Sequence, residues 1–348
     1  MKQTFLFGLV AWLAALLPGG AAPCTRFTQQ HVDLLDVAWD TESQSLSLAA
    51  YDDSTGTRYA SNECVVVCPE AMKFSLPGGT PLGQEGDSMW ILPQNPYAGV
   101  PYVGVSTERL GATDFPEAVA LRLIRMEGPG QFLMWQAGAS SSIEVQMDSR
   151  DGLSSADAIS VTPGGHAHYN WGFTTSGVYR LYFQARGVKA GETEPRVSPE
   201  TPFTFHVLPL RPFENWVATN WPCECATNLI AAGADPDQDH APNSFEYVFG
   251  TNPRVLDSRT WVQPSVVTTN GTAYGALTFD RAFPATDAWC EVYAADSLTA
   301  PLWEPVTIVH SQESGPVSER ITFRDSLPVS ARMSRYFQLR VVFPYPAF

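Results

Sequence analysis

His166 and His168 stand two positions apart, directly after the turn sequence Pro163-Gly164-Gly165. On an extended strand, residues i and i+2 project to one face, so the two imidazoles address the same point in space. Neutral imidazole is the commonest metal ligand, and zinc takes it at about 2.0–2.1 Å. The chain has only 6 histidines, which makes the placement of the others informative. His31 and Asp33 form a second i, i+2 pair in the first strand expected of the mature chain, and His206 lies in the strand-like run Phe203-Thr204-Phe205-His206-Val207. First and last strands of a β-sandwich are often close, so His31, Asp33, His166, His168 and His206 are expected to converge on one transition metal. Imidazole with carboxylate suits zinc, manganese, iron or copper alike. The competing reading, in which each is a satisfied half-buried histidine, explains a lone residue better than an H-x-H pair with two further candidates.

A second pattern is built from oxygen. Asp235, Asp237, Asp239, Asn243 and Glu246 occupy positions 1, 3, 5, 9 and 12 of an acidic segment, with the carbonyl of Ala241 at position 7. That is the spacing of an EF-hand loop, in which a hard cation collects six to eight oxygens at about 2.3–2.6 Å. Calcium is the expected ion and its expected role is structural. Position 6, normally glycine, is His240, which accepts a positive φ less readily, so a weakened site is expected. The competing reading is an acidic linker without an ion.

No complete catalytic constellation stands out. The chain has no G-x-S-x-G elbow, H-E-x-x-H helix, phosphate-binding loop or glycine-rich dinucleotide motif. The pairs Asp33/Asp36 and Asp52/Asp53 read as surface or metal groups rather than a glycosidase dyad. Trp39, Trp90, Trp135 and Trp171 could line a sugar-binding face but read more simply as sandwich core. A non-enzymatic protein is therefore expected, with a glycan-binding or adhesion module, or a metal-dependent hydrolase or oxidase, as alternatives. The net charge of −15, from 36 acidic and 21 basic residues, argues against nucleic acid as a partner and suits cations. Cell-envelope components and glycans remain candidate partners.

The elements that must position these groups are strands. Short β-branched or aromatic runs alternate with Gly, Pro, Asn, Asp and Ser clusters, as at Ser45 to Tyr51, Ala118 to Arg125, Ile143 to Met147 and Thr201 to Val207. Between Val178 and Ala185, the residues Tyr179, Leu181, Phe183 and Ala185 make one wholly apolar face. The fold expected is all-β: two β-sandwich domains, at 25–210 and 257–348, joined across 211–256 by a short, partly helical linker that carries the calcium-type loop. Further strands are expected at Trp261 to Val267, Tyr274 to Phe279, Trp289 to Ala294, Pro305 to His310, Glu319 to Arg324 and Tyr336 to Phe343.

Residues 1–22 read as a secretory signal: Lys2, the apolar stretch Phe5 to Leu17, then Pro18-Gly19-Gly20-Ala21-Ala22. The expected location is extracytoplasmic, secreted or at the cell surface, with no membrane-spanning segment in the mature chain. An even count of 6 cysteines in an exported chain implies disulfides. Cys64 and Cys68 could close a small loop, and one of Cys223 and Cys225 could reach Cys290.

Two stretches also carry family resemblances. Gly165-His166-Ala167-His168-Tyr169-Asn170-Trp171-Gly172-Phe173 followed by Ser176-Gly177-Val178-Tyr179-Arg180-Leu181 resembles the actinobacterial-type surface-anchored repeat, a domain of the choice-of-anchor M group of bacterial surface proteins. His31-Val32-Asp33, Trp90-Ile91-Leu92-Pro93-Gln94, Gly128-Pro129-Gly130 and Asp148-Ser149-Arg150-Asp151-Gly152 extend the likeness over about residues 27 to 208. It implies a surface or secreted β-domain with a role in metal handling; the family's sorting motif is not visible. Ala234 to Pro253 resembles the thrombospondin type 3-like calcium element that often precedes a C-terminal β-module.

Overall fold

The computed structural model describes residues 24–138, 142–223, 227–256, 262–283, 285–331 and 334–344, so the expected signal sequence and Cys225 lie outside the described residues. The protein is all-β, with several sheets and only short helices. Three sheets are built from residues 25–207. The largest has the strand order Thr25–Phe27, Cys64–Cys68, Thr201–Val207, Gly177–Val188, Val119–Glu127, Ala158–Val161, with Pro195–Val197 paired to Gly177–Val188. A second runs Ile143–Asp148, Phe132–Ala137, Asn170–Phe173, Ser88–Leu92, Lys73–Ser75. The third runs His166–His168, Tyr102–Arg109, His31–Asp40, Ser45–Asp52, Thr57–Tyr59.

The alternation expected within Gly177–Val188 is the reason these sheets cohere. Tyr179, Leu181, Phe183 and Ala185 are all fully buried in one core with Phe203, Phe205, Phe173 and Trp171. Burying such side chains contributes about 1.5–3 kcal/mol each. Trp90, Trp135 and Trp171 are buried, as the core reading expected, and Trp39 packs at the edge of the same cluster.

Residues 262–342 form two further sheets, one of Val262–Thr269, Thr272–Ala282, Ser318–Pro328 and Ile308–Ser314, the other of Glu304–Val306, Trp289–Ala295 and Tyr336–Val342. The single strand expected at Pro305 to His310 is two strands in different sheets. The segment before them is more than a linker. Helices Pro212–Asn220 and Asn243–Phe249 bury Phe213, Val217, Tyr247 and Val248 in a core with Ala285 and Ala288, edged by Val341 and Phe343.

The cysteines pair differently from the expectation. Cys24 is bonded to Cys223, while Cys64, Cys68 and Cys290 are free. Cys64 and Cys68 both lie within one buried strand, whose extended backbone holds residues i and i+4 far apart. Burial pushes both thiols up to about 12.

Candidate metal centre

The third sheet brings the histidine pairs together. His31–Asp40 runs parallel to Tyr102–Arg109, placing His31 beside Tyr102 and Asp33 beside Gly104. His166–His168 joins the other side of the same strand antiparallel, placing His166 beside Ser106 and His168 beside Gly104. Asp33 and His168 thus flank one residue from opposite sides. That residue is glycine because the space is taken: a Cβ at Gly104 would sit 2.3 Å from Asp33 Oδ1, 2.9 Å from His168 Cε1 and 3.0 Å from His166 Nε2.

Four donors form a closed ring around this point. His31 Nε2 lies 3.2 Å from His168 Nε2, which lies 2.8 Å from His166 Nε2. Asp33 Oδ1 completes the circuit at 3.2 Å from His166 Nε2 and 3.8 Å from His31 Nε2. Ligands at a zinc-like bond length would be separated by about 3.3–3.4 Å in a tetrahedron, or by about 2.9 Å along the edges of a square plane. The four edges span these values.

The surroundings fix the donors in a ligating state. His168 Nδ1 donates to the Val103 carbonyl at 3.1 Å, and its ring stacks on Tyr102 with centroids 3.6 Å apart. His31 Nδ1 donates to Asp53 Oδ2 at 2.6 Å. Each contact commits Nδ1 as the donor and turns the lone pair of Nε2 inward, the usual outer support of a metal-bound histidine. Burial holds the His168 imidazolium range down to about 4 and also lowers that of His31, against the pull of Asp53. Both rings are therefore neutral near pH 7.

Asp33 is the anomaly that a metal explains. The residue is 0% exposed, and neither carboxylate oxygen has a hydrogen-bond partner. Burial, then the neighbouring charges of Asp53, Asp36 and Glu108, push its carboxyl up to about 7. A buried charged group without a partner is costly, and a cation in the ring would offset that cost.

His206 does not join. It is 3% exposed and lies in the largest sheet, beside Val178 and Val67, with a ring nitrogen 3.4 Å from the Arg26 guanidinium. Burial, then Arg26 and Arg180, pull its proton affinity down to about 3. The expectation failed because Thr25–Phe27, not His31–Asp40, is the first strand of the sheet that holds Thr201–Val207. Conversely, Asp53, read with Asp52 as a surface or metal group, joins the site through His31, and Tyr102, Gly104 and Glu108 belong to it without having carried a motif. Only the pairing of Tyr102–Arg109 between the two histidine strands reveals them. Asp36, paired with Asp33 in the sequence, is instead held by Arg58 and Arg109 at 2.7 and 2.9 Å.

The acidic segment turns on its own side chains. Asp235 Oδ2 accepts the His240 amide at 3.0 Å, Asp237 Oδ1 that of Asp239 at 3.4 Å, and Asp239 Oδ1 that of Ala241 at 2.8 Å. The second oxygen of each, Asp235 Oδ1, Asp237 Oδ2 and Asp239 Oδ2, is buried without a partner. Asn243 is 0% exposed; its amide nitrogen donates to the carbonyls of Leu229 and Ala231 at 2.8 and 2.9 Å, and its Oδ1 is left bare. Glu246 is buried one turn further along the helix Asn243–Phe249. His240 does adopt the positive φ, at 73°, that position 6 requires. The three aspartates can hold a metal ion.

No family model matches the chain, and no curated protein matches it. The two resemblances read from its motifs therefore rest on those residues alone.

Proposed function

We propose that this is an exported, non-enzymatic extracytoplasmic protein that binds a transition metal through His31, His166, His168 and Asp33 and carries a structural calcium ion in the loop Asp235 to Glu246. One observation carries the transition-metal reading: a fully buried carboxylate without a hydrogen-bond partner lies beside His166 and His31, two of three imidazoles already set at ligand spacing. The mixed nitrogen and oxygen donors suit zinc and its first-row neighbours alike. The likeness to the surface-anchored repeat supports the same role in metal handling. The buried tryptophans weigh against a sugar platform made from them.

Export is supported by the signal-like residues 1–22 and by the disulfide, which persists in oxidising compartments. No helix among the described residues is long and apolar enough to cross a membrane. Calcium is supported by the loop's bare oxygens, all of them hard donors. The deciding experiment is elemental analysis of the purified protein after exposure to first-row metals, beside His166→Ala and His168→Ala. One tightly held transition metal per chain, lost in both variants, is the expected result. Wild-type protein that retains none would end this reading.

A further inference from the structure

The geometry points to a second divalent cation seated beside the first on Asp33 and Glu108, with the Asp33 carboxylate bridging the two. This rests on the transition-metal reading above. A metal in the histidine ring would engage Asp33 Oδ1, which faces His166 and His31. It would leave Oδ2 as it stands, fully buried and without a hydrogen-bond partner. The chain places another carboxylate close to that of Asp33. Glu108 lies two residues beyond Ser106, the partner of His166 across the sheet. Donor atoms of Asp33, Glu108 and His166 lie within 4.8 Å of one another.

Charge argues in the same direction. Asp36 is neutralised by Arg58 and Arg109, and Asp53 is engaged by His31. Asp33 and Glu108 make no ion pair with a lysine or arginine among the described residues, Asp33 meeting only the ring nitrogens of His166 and His31. With Asp53 they put three carboxylates around the three histidines. The second position is made of carboxylate oxygens, with Glu108 exposed and water able to complete the shell. It therefore suits a hard ion such as Mn²⁺, Mg²⁺ or Ca²⁺ rather than a second imidazole-preferring metal. Ions sharing one carboxylate in this way stand about 3.5–4 Å apart.

The test uses the full chain loaded with one equivalent of Zn²⁺ and then titrated with Mn²⁺, bound Mn²⁺ being read from the loss of the free-ion EPR signal. Wild type is expected to bind Mn²⁺ in a phase that Glu108→Gln removes or weakens by about tenfold or more. Any phase due to the acidic loop is removed by Asp237→Asn instead. Glu108 is exposed, so the variant is expected to melt as wild type does. Equal Mn²⁺ binding by wild type and Glu108→Gln, with one zinc still held, would overturn the second site and leave the first intact. Wild type unable to hold one zinc equivalent would remove the basis of both.

Discussion

A single residue decides how the histidine centre should be understood. Asp33 keeps no hydrogen bond and no access to water, yet lies among three other acidic groups. Its carboxyl is raised to about 7 against 3.8 for the free group, so the folded chain binds the proton more tightly than the unfolded chain. The sign follows directly. Without metal, Asp33 lowers stability progressively as pH rises from about 4 to 7, and the full penalty is present above that range. Asp33→Asn keeps the shape and removes the charge. At pH 8 the metal-free variant is expected to be more stable than metal-free wild type, by about 1–3 kcal/mol. Added transition metal should reverse the order, because only wild type gains from binding. Urea melts of both proteins, with and without metal, measure the four values. A metal-free variant less stable than wild type would show that Asp33 is satisfied by something other than a cation.

At the scale of elements, the acidic loop sits at a joint between two cores. Its closing helix, Asn243–Phe249, contributes Tyr247 and Val248 to the core around Phe213, while Phe249 packs against both that core and the one around Phe279. Four unpartnered oxygens at the head of this helix hold the cores together only at a cost of desolvation, which an ion removes. Calcium at a hundredfold excess over its Kd is expected to add about 2.7 kcal/mol. Chelation should therefore lower Tm and open the chain to protease near residues 234–243, and Asn243→Ala should mimic it. Unchanged melting in EDTA would count against an ion here. This loop was legible in the sequence because all its ligands fall within one short segment. The H-x-H and H-x-D pairs were legible for the same reason, since a strand's two-residue period needs no knowledge of its neighbours. Which strands lie side by side was not. The sequence order cannot show that Tyr102–Arg109 separates the two pairs, so Glu108, Tyr102 and Gly104 carry no signal there, and nothing in it separates His206 from the other histidines. The two strands hidden in Pro305 to His310 were missed likewise, because a change of sheet leaves no mark on local alternation.

For the whole molecule, the bond between Cys24 and Cys223 is the covalent link that matters. It spans a sequence separation of 199, tying the edge strand Thr25–Phe27 of the largest sheet to the chain just beyond the helix Pro212–Asn220. The core of residues 27–207 and the cores of residues 213–343 draw on separate stretches of sequence. The bond therefore closes a loop around the first core and fastens it to the second. Loop-closure entropy for so long a span gives an upper value of about 5 kcal/mol, and native disulfides commonly contribute about 2–5 kcal/mol. Cys24→Ser/Cys223→Ser removes both sulfurs and so avoids a stray thiol at either end. Its unfolding is expected to begin earlier and to split into two transitions, one for each set of cores, where wild type gives a single broader cooperative one. The histidine ring lies in a different sheet from Cys24 and should still bind its metal at low temperature. Calorimetry of wild type and the double variant, each with and without calcium, resolves the transitions. Calcium should raise only the transition of the second set, since the acidic loop packs with Phe213 and Phe279 rather than with Phe203 and Phe205. One unchanged transition in the double variant would mean that packing alone couples the two halves.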